Sequence, residues 1–233
     1  MELNNQKKFF VVIPAYNEAK TIGQVVKNVK LYTENVIVVN DNSTDGTQAA
    51  AESAGAIVLK HEINQGYDGA INSGFSEAYK RGADVFITFD ADGQHKHEDL
   101  GEIIGLMTNG GLDMVIAQRS QIAHFCEKIF AAYTNLFFGI KDPLCGLKAY
   151  TREVYESVGF FDGLKSIGTQ LMLEAMARGF KKVKLIPITL NSRQDESRFY
   201  SKKIKANLKI FKAMVRVMMR ILAVKVAKKH PVN

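Results

Sequence analysis

The chain has 233 residues, 46% of them hydrophobic, and a formal net charge of +7. That length and apolar share suit one large α/β domain with an appendage, and two cysteines far apart in sequence, Cys126 and Cys145, argue against structural zinc and for a reducing compartment. Ten Lys or Arg and no acid follow Ser201, so the chain before it is net −3, which argues against a general nucleic-acid surface on the body.

Met1 to Lys8 is polar and reads as no secretory signal, and no run of 18 apolar residues reads as a membrane span. Phe9-Phe10-Val11-Val12-Ile13 is a buried first strand stopped by Pro14, with Pro14-Ala15-Tyr16-Asn17-Glu18 as the loop at its carboxyl end. Apolar residues at 22, 25, 26 and 29 predict a helix between Thr21 and Leu31. Val36 to Val39 is a second strand, followed by Asn40-Asp41-Asn42-Ser43-Thr44-Asp45-Gly46-Thr47, where Ser43 or Thr44 can cap a helix running to about Ser53. Ala56 to Leu59 is a third strand, and Asn64-Gln65-Gly66 opens a helix to about Arg81. Val85 to Phe89 is a fourth strand. This alternation predicts a parallel, right-handed α/β sheet.

Each strand ends in polar residues: Tyr16 and Glu18, then Asp41, then Asn64, then Asp90 and Asp92. Parallel strands gather these ends at one edge, where open α/β sheets bind ligands. Asp90-Ala91-Asp92-Gly93-Gln94-His95 carries two acids one residue apart, which repel unless a cation lies between them. A hard divalent ion takes such oxygens, with the amide oxygen of Gln94, and completes its shell with substrate phosphates. The competing reading is a polar turn. An aromatic Tyr16, carboxylates and an acid pair on one rim suit a nucleotide. No GxxxxGK[ST] and no GxGxxG after the first strand exist, so a metal must supply much of the phosphate neutralisation.

Val12 to Glu18, Val38 to Thr47 and Asp90 to His95 together resemble the family 2 inverting glycosyltransferases of the GT-A fold, nearest in pattern to the polyprenyl-phosphate sugar synthases of the dolichyl-phosphate mannosyltransferase type. The likeness runs from about Phe9 to Phe199. It implies a Rossmann-like, mostly parallel central sheet flanked by helices. Pro14, Ala15, Tyr16 and Glu18 would line the nucleotide pocket, with Val39 and Asp41 at the base. Asp90, Asp92 and Gln94 would hold Mg²⁺ or Mn²⁺ against the diphosphate, and Ala91 would touch the nucleotide. Arg119 matches the arginine of the family's G-S-R turn and would face phosphate. Asp142-Pro143-Leu144-Cys145-Gly146-Leu147-Lys148 looks like the D-P-x-x-G-F-R segment near the acceptor. Arg193 and Ser197-Arg198 are similar to the late loop that closes over the diphosphate. The chain departs from the pattern at Asn40, Gln118 and Gln170, and the segment from Ser120 to Lys128 is short for the synthases, which often carry an arginine there; Lys128 is the candidate to replace it, and a solvated helix face is the competing and preferred reading of Lys128.

The implied donor is a GDP- or UDP-linked sugar. An acceptor that is a polyprenyl phosphate is already an anion and needs no base. A sugar-hydroxyl acceptor, the alternative, needs one, and Asp142 is the first candidate, against a cap or turn before Pro143; Glu174 is more a structural acid. The expected division is a GT-A domain over 1–200 and a basic amphipathic helix over 201–233. At 100° per residue Lys205, Lys209, Lys212, Arg216 and Arg220 form one stripe and the apolar remainder is wider than a core-facing helix requires. That helix is expected to lie on the cytoplasmic face of a membrane, attracted to anionic lipid; the competing partner for its face is a second copy in a homodimer. A nucleic-acid partner is not expected.

Overall fold

The computed structural model describes residues 7–120, 122, 125–191 and 203–229. Seven strands form one sheet: β1 (Phe9–Ala15), β2 (Val36–Asn40), β3 (Ile57–Lys60), β4 (Val85–Thr88), β5 (Met114–Arg119), β6 (Lys148–Thr151) and β7 (Val183–Ile188), in the order β3-β2-β1-β4-β6-β5-β7. The first four lie parallel, as the alternation of elements predicts. The second half is mixed, because β6 inserts antiparallel between β4 and β5, while β5 and β7 are parallel.

β1 and β2 are apolar on both faces because helices cover both. Alternate residues of β1 sort to two cores. Val11 and Ile13 pack with α1 (Ile22–Val29), α2 (Thr47–Ser53) and α4 (His97–Asn109). Phe10 and Val12 pack on the other face with α3 (Gly66–Lys80), α5 (Phe125–Phe138), α6 (Arg152–Val158), α7 (Gln170–Arg178) and α8 (Lys203–Lys229). Gly74 lets α3 lie close on the sheet: a β-carbon there would fall 2.2 Å from Val12 Cγ1.

The expected cap of α2 by Ser43 or Thr44 is not formed. Gly46 is the N-cap, Asp45 Oδ1 accepts from Thr47 N at 3.0 Å, and Ser43 Oγ instead accepts from Asn17 N at 2.9 Å. Asn17 Oδ1 in turn accepts from Thr44 N, so the loops after β1 and β2 are stitched together.

The helix α8 runs over α5 and α7 and divides the wide apolar face that the sequence displays. Ala206, Ile210, Ala213, Met214, Val217 and Ile221 are buried, whereas Leu208, Phe211, Met219, Leu222 and Val226 are exposed. The basic stripe is exposed at Lys209, Lys212 and Arg216, but two of its arginines are engaged with the domain. Arg220 joins Arg178 in pairing with buried Glu174, because a buried carboxylate needs cationic partners, and Arg216 donates to Leu164 O. No described helix is long and apolar enough to cross a membrane.

Candidate active site

The carboxyl ends of β1, β2 and β4 meet at one rim, as parallel pairing dictates. A cavity of about 380 Å³ opens there, lined by Pro14, Ala15, Tyr16, Glu18 and Asp41 from the first two strands, Asn64, Gly66, Tyr67 and Ala70 from the start of α3, and Lys209 from α8. Tyr16 is exposed, and Asp41 is 3% exposed. Val39 does not reach the cavity: its side chain sits in the α3-side core, a consequence of strand alternation. Ala91 is likewise packed in the opposite core.

Asp41 is held on three sides. Oδ1 accepts from Gln65 N and Oδ2 from Gly66 N, each at 2.8 Å, and His61 Nδ1 lies 2.7 Å from Oδ1. His61 Nε2 lies 2.9 Å from Ser73 Oγ, so an Asp41–His61–Ser73 chain, buried at Asp41 and His61 and half-buried at Ser73, fixes the carboxylate and the turn into α3. Sequence reasoning missed His61 and Ser73, since no local motif joins residues from β2, β3's end and α3. Asn40, where an acid is usual, folds the turn by accepting from Ser43 N.

Asp90 and Asp92 follow β4. The Asp90 side chain is 31% exposed and its Oδ2 lies 3.0 Å from His95 Nε2. Burial pushes its carboxyl up, but the His95 hydrogen bond and the charges of His95, Arg119 and Lys148 outweigh this and hold it below the usual range. Asp92 Oδ1 accepts from Gln94 N at 3.0 Å. Gln94 Nε2 donates to Asn191 O, and Asn191 N donates back to Gln94 O, tying the acid loop to the end of β7. Tyr67 links this locus to the cavity: it lines the cavity, and burial followed by the Asp90 and Asp68 charges pushes its phenol up.

The donor set fits a hard divalent ion. It is all oxygen, Asp90 favours its ionised form, and backbone without a side chain at Gly146 faces the Asp90 carboxylate. No group of three His, Cys, Asp or Glu that could hold an ion occurs among the described residues, so substrate oxygens would have to complete the shell.

Arg119 and Asp142 are brought together, but with each other. Arg119 Nε and Nη2 form a fork on Asp142 at 2.7 and 2.8 Å, Arg119 N donates to Asp142 Oδ2, and Nη2 also meets Glu127 at 2.5 Å. Burial pulls the guanidinium pKa down, yet Asp142 and Glu127 raise it overall. Asp142 is wholly buried, so its expected role as a base toward an acceptor gives way to that of partner to Arg119. Gln118 clamps the same segment, accepting from Lys141 N and Asp142 N.

Lys148 is 2% exposed and donates to Gly168 O at 3.0 Å, which removes it from an acceptor surface. Lys128 is exposed on α5. Glu174 is 1% exposed; burial raises its carboxyl, and Arg220, Arg178 and Gln170 bring it below the ordinary value. Gln170 spans Gly163 N and Glu174. Cys145 is buried and its thiol is pushed up to about 12 by burial, then by Asp142. Arg193, Ser197 and Arg198 lie outside the described residues.

Comparison with known proteins places these features. The sequence model described as Glycosyl transferase family 2 matches residues 10–168. An uncharacterized protein of Methanocaldococcus jannaschii is 31% identical over 201 residues, covering 79% of this chain and 82% of its own. The UDP-N-acetylglucosamine–dolichyl-phosphate N-acetylglucosaminyltransferase of Methanococcus voltae is 37% identical over 48% of this chain and 52% of its own length. The polyprenol monophosphomannose synthase of Mycolicibacterium smegmatis is 28% identical over 81% and 79%. Glucosyl-3-phosphoglycerate synthase of Mycobacterium tuberculosis, crystallised with Mn²⁺ and UDP-glucose, shares the fold with a TM-score of 0.71 at 19% identity, over 94% of this chain and 79% of that one.

Proposed function

Because this chain belongs to glycosyl transferase family 2 and is a glycosyltransferase, we propose that it moves a hexose, with inversion, from a nucleoside-diphosphate sugar to a polyprenyl phosphate, and that it needs a divalent cation to do so. The observation that supports this most is the junction at the rim. Asp90 and Asp92 follow β4 at the same sheet edge as a cavity whose walls carry Tyr16 and the tethered Asp41, and Tyr67, which lines that cavity, feels the Asp90 charge.

In this reading the base stacks on Tyr16 and meets Asp41, while Glu18 faces the ribose. Asp90, Asp92 and the Gln94 amide oxygen would hold Mg²⁺ or Mn²⁺, which when bound supplies positive charge for the departing diphosphate. His95 and Gly146 keep the Asp90 carboxylate oriented for that role. Arg193 and Arg198 are assigned to the diphosphate from their place in the family pattern.

The acceptor assignment rests on which acids are spent. A sugar hydroxyl would need a base within hydrogen-bond reach. Both Asp142 and Glu174 are buried and bound to arginines, and Gln170 stands where an acid would serve. A lipid phosphate needs none of them. Two relatives are named for dolichyl or polyprenol phosphate chemistry, which adds to the same reading.

Exposed Leu208, Phe211, Met219, Leu222 and Val226 on α8, with exposed Phe125, Ile129, Leu136 and Phe137 on α5, are assigned to the membrane surface that carries such an acceptor. The two helices lie side by side: Cys126 N donates to Asn207 Oδ1 near their starts, and Lys225 Nζ sits 5.7 Å from the Phe138 ring near their ends.

The test is transfer of labelled hexose from UDP- and GDP-sugars, with Mn²⁺, to polyprenyl phosphate in vesicles and to free sugar acceptors. Label recovered in polyprenyl phosphate supports the reading. Label recovered only on sugar hydroxyls replaces it with the polysaccharide or glycolipid alternative.

A further inference from the structure

The donor cavity has one wall that the family pattern does not supply. Lys209 comes from α8, beyond the matched residues 10–168, and it lines the 380 Å³ cavity together with Asp41 and Tyr16. Its place is fixed by its neighbours on the helix. Ala206, Ile210 and Ala213 are buried against the domain, and the two alanines let the helix axis come close. Asp68 and Lys165 are its charged neighbours, and the three also line a second cavity of about 620 Å³ that shares Asn64, Gly66 and Tyr67 with the first. Lys209 therefore stands where the two cavities join.

Three charged groups line the first cavity, Glu18, Asp41 and Lys209; with Glu18 assigned to the ribose, Asp41 and Lys209 are a complementary pair for the base. A carboxylate accepts only, with about four lone-pair positions. Three of those on Asp41 are taken by Gln65 N, Gly66 N and His61, which leaves one acceptor position on a carboxylate that cannot turn. An ammonium donates only. One fixed acceptor and one donor in a cavity of nucleoside size match a base edge that carries an N–H beside a C=O. Uracil has that edge as an imide and guanine as a lactam. Held in the same position, with the ring nitrogen against Asp41, cytosine and adenine present a lone pair to the carboxylate and an exocyclic amine to the ammonium, which oppose acceptor to acceptor and donor to donor.

We propose that Lys209 is a base-selecting residue of the donor site, pairing with the carbonyl of a base whose adjacent ring N–H meets Asp41, so that α8 takes part in choosing a uridine or guanosine donor over cytidine or adenosine. The proposal rests on the nucleotide-sugar reading given above. It also makes α8 a shared element, one face completing the donor pocket and the opposite face carrying Leu222 and Met219 outward.

The test is calorimetric titration of the full chain with UDP, GDP, CDP and ADP, each with Mn²⁺. Unaltered protein is expected to bind UDP or GDP at least about tenfold more tightly than CDP and ADP, since a site built around a donor and an acceptor strongly rejects the mismatched edge. Lys209→Met is expected to lower that ratio by about tenfold with an unchanged melting temperature, and Lys209→Arg to keep most of it. Lys212→Met, on the same helix but lining neither cavity, is expected to leave it alone. A Lys209→Met protein with the full preference overturns the proposal, as does unaltered protein that binds CDP or ADP equally well. Unaltered protein that binds none of the four overturns the donor reading itself, and the role of Lys209 with it.

Discussion

Gly146 stands so close to the Asp90 carboxylate that a β-carbon at position 146 would lie 2.2 Å from Oδ2 and 2.4 Å from Oδ1. The β4–β6 pairing brings them together, since Thr88 is in register with Lys148 and the two loops leave side by side. In Gly146→Ala the short Asp90 side chain, already part exposed, is what gives way. The fold should lose about 1–3 kcal/mol, and Mn²⁺-dependent nucleotide affinity should fall at least about tenfold, the loss of one charged ligand interaction. Unaltered Mn²⁺ titration of that variant would show that Asp90 has no part in holding the ion.

Arg119 is expected to matter for stability before it matters for turnover. Its removal takes away the guanidinium that Asp142 and Glu127, both about 1% exposed at the side chain, share. Arg119→Ala should cost about 3–5 kcal/mol in urea unfolding. Arg119→Lys keeps the charge without the planar fork and should cost less, though still measurably. An Arg119→Ala protein with normal unfolding and lost activity would instead put the guanidinium on substrate.

Asp68 gives a pH signature. It accepts from Ile167 N and Gly168 N, yet burial, then the nearby Asp162, raise its carboxyl to about 6. A folded-state value above the unfolded one means that the native state binds the proton more tightly. Its contribution is therefore full below about pH 4 and is lost as pH rises through about 6. Melting temperature measured from pH 4 to 8 should fall less steeply with rising pH in Asp68→Asn than in the unaltered protein across that window. Parallel curves would contradict the assignment.

The membrane assignment is best tested without truncation. Removing α8 would strip Ile210, Met214, Val217 and Ile221 from the core and unfold more than it releases. The double substitution Phe211→Glu and Leu222→Glu alters only the exposed face. It should reduce co-sedimentation with anionic vesicles at least about tenfold, given the CH₂ groups withdrawn from the interface, with little change in melting temperature. Full co-sedimentation of the double variant would refute the assignment, and loss of a dimer in its place would assign the face to a second copy.

The first four strands and the rim were readable because their information is local. Continuous apolar runs at 9–13, 36–39 and 85–89, each stopped by polar residues, mark doubly covered parallel strands, and the acid pair is contiguous in sequence. The order β4-β6-β5-β7 was not readable, since the antiparallel return of β6 depends on pairing across about sixty residues. Long-range partnerships hid for the same reason. Nothing local says that Arg119 spends its fork on Asp142, that Asp41 is braced by His61 and Ser73, or that Gln118 clamps residue 142. Helical periodicity showed that α8 is amphipathic, but it could not tell which polar residues turn inward. Glu174 decides that, and it lies 46 residues upstream of its partner Arg220.

In the proposed mechanism Asp90 and Asp92 hold a divalent cation against a nucleotide diphosphate. The most direct measurement is the rate of hexose transfer from the preferred nucleotide sugar across a Mn²⁺ titration, in unaltered protein and in Asp92→Asn. Saturable activation by Mn²⁺, loss on chelation, and a fall of at least about a hundredfold in Asp92→Asn with an intact melting transition are expected. Transfer that is indifferent to chelator, or near-normal in Asp92→Asn, would contradict that mechanism.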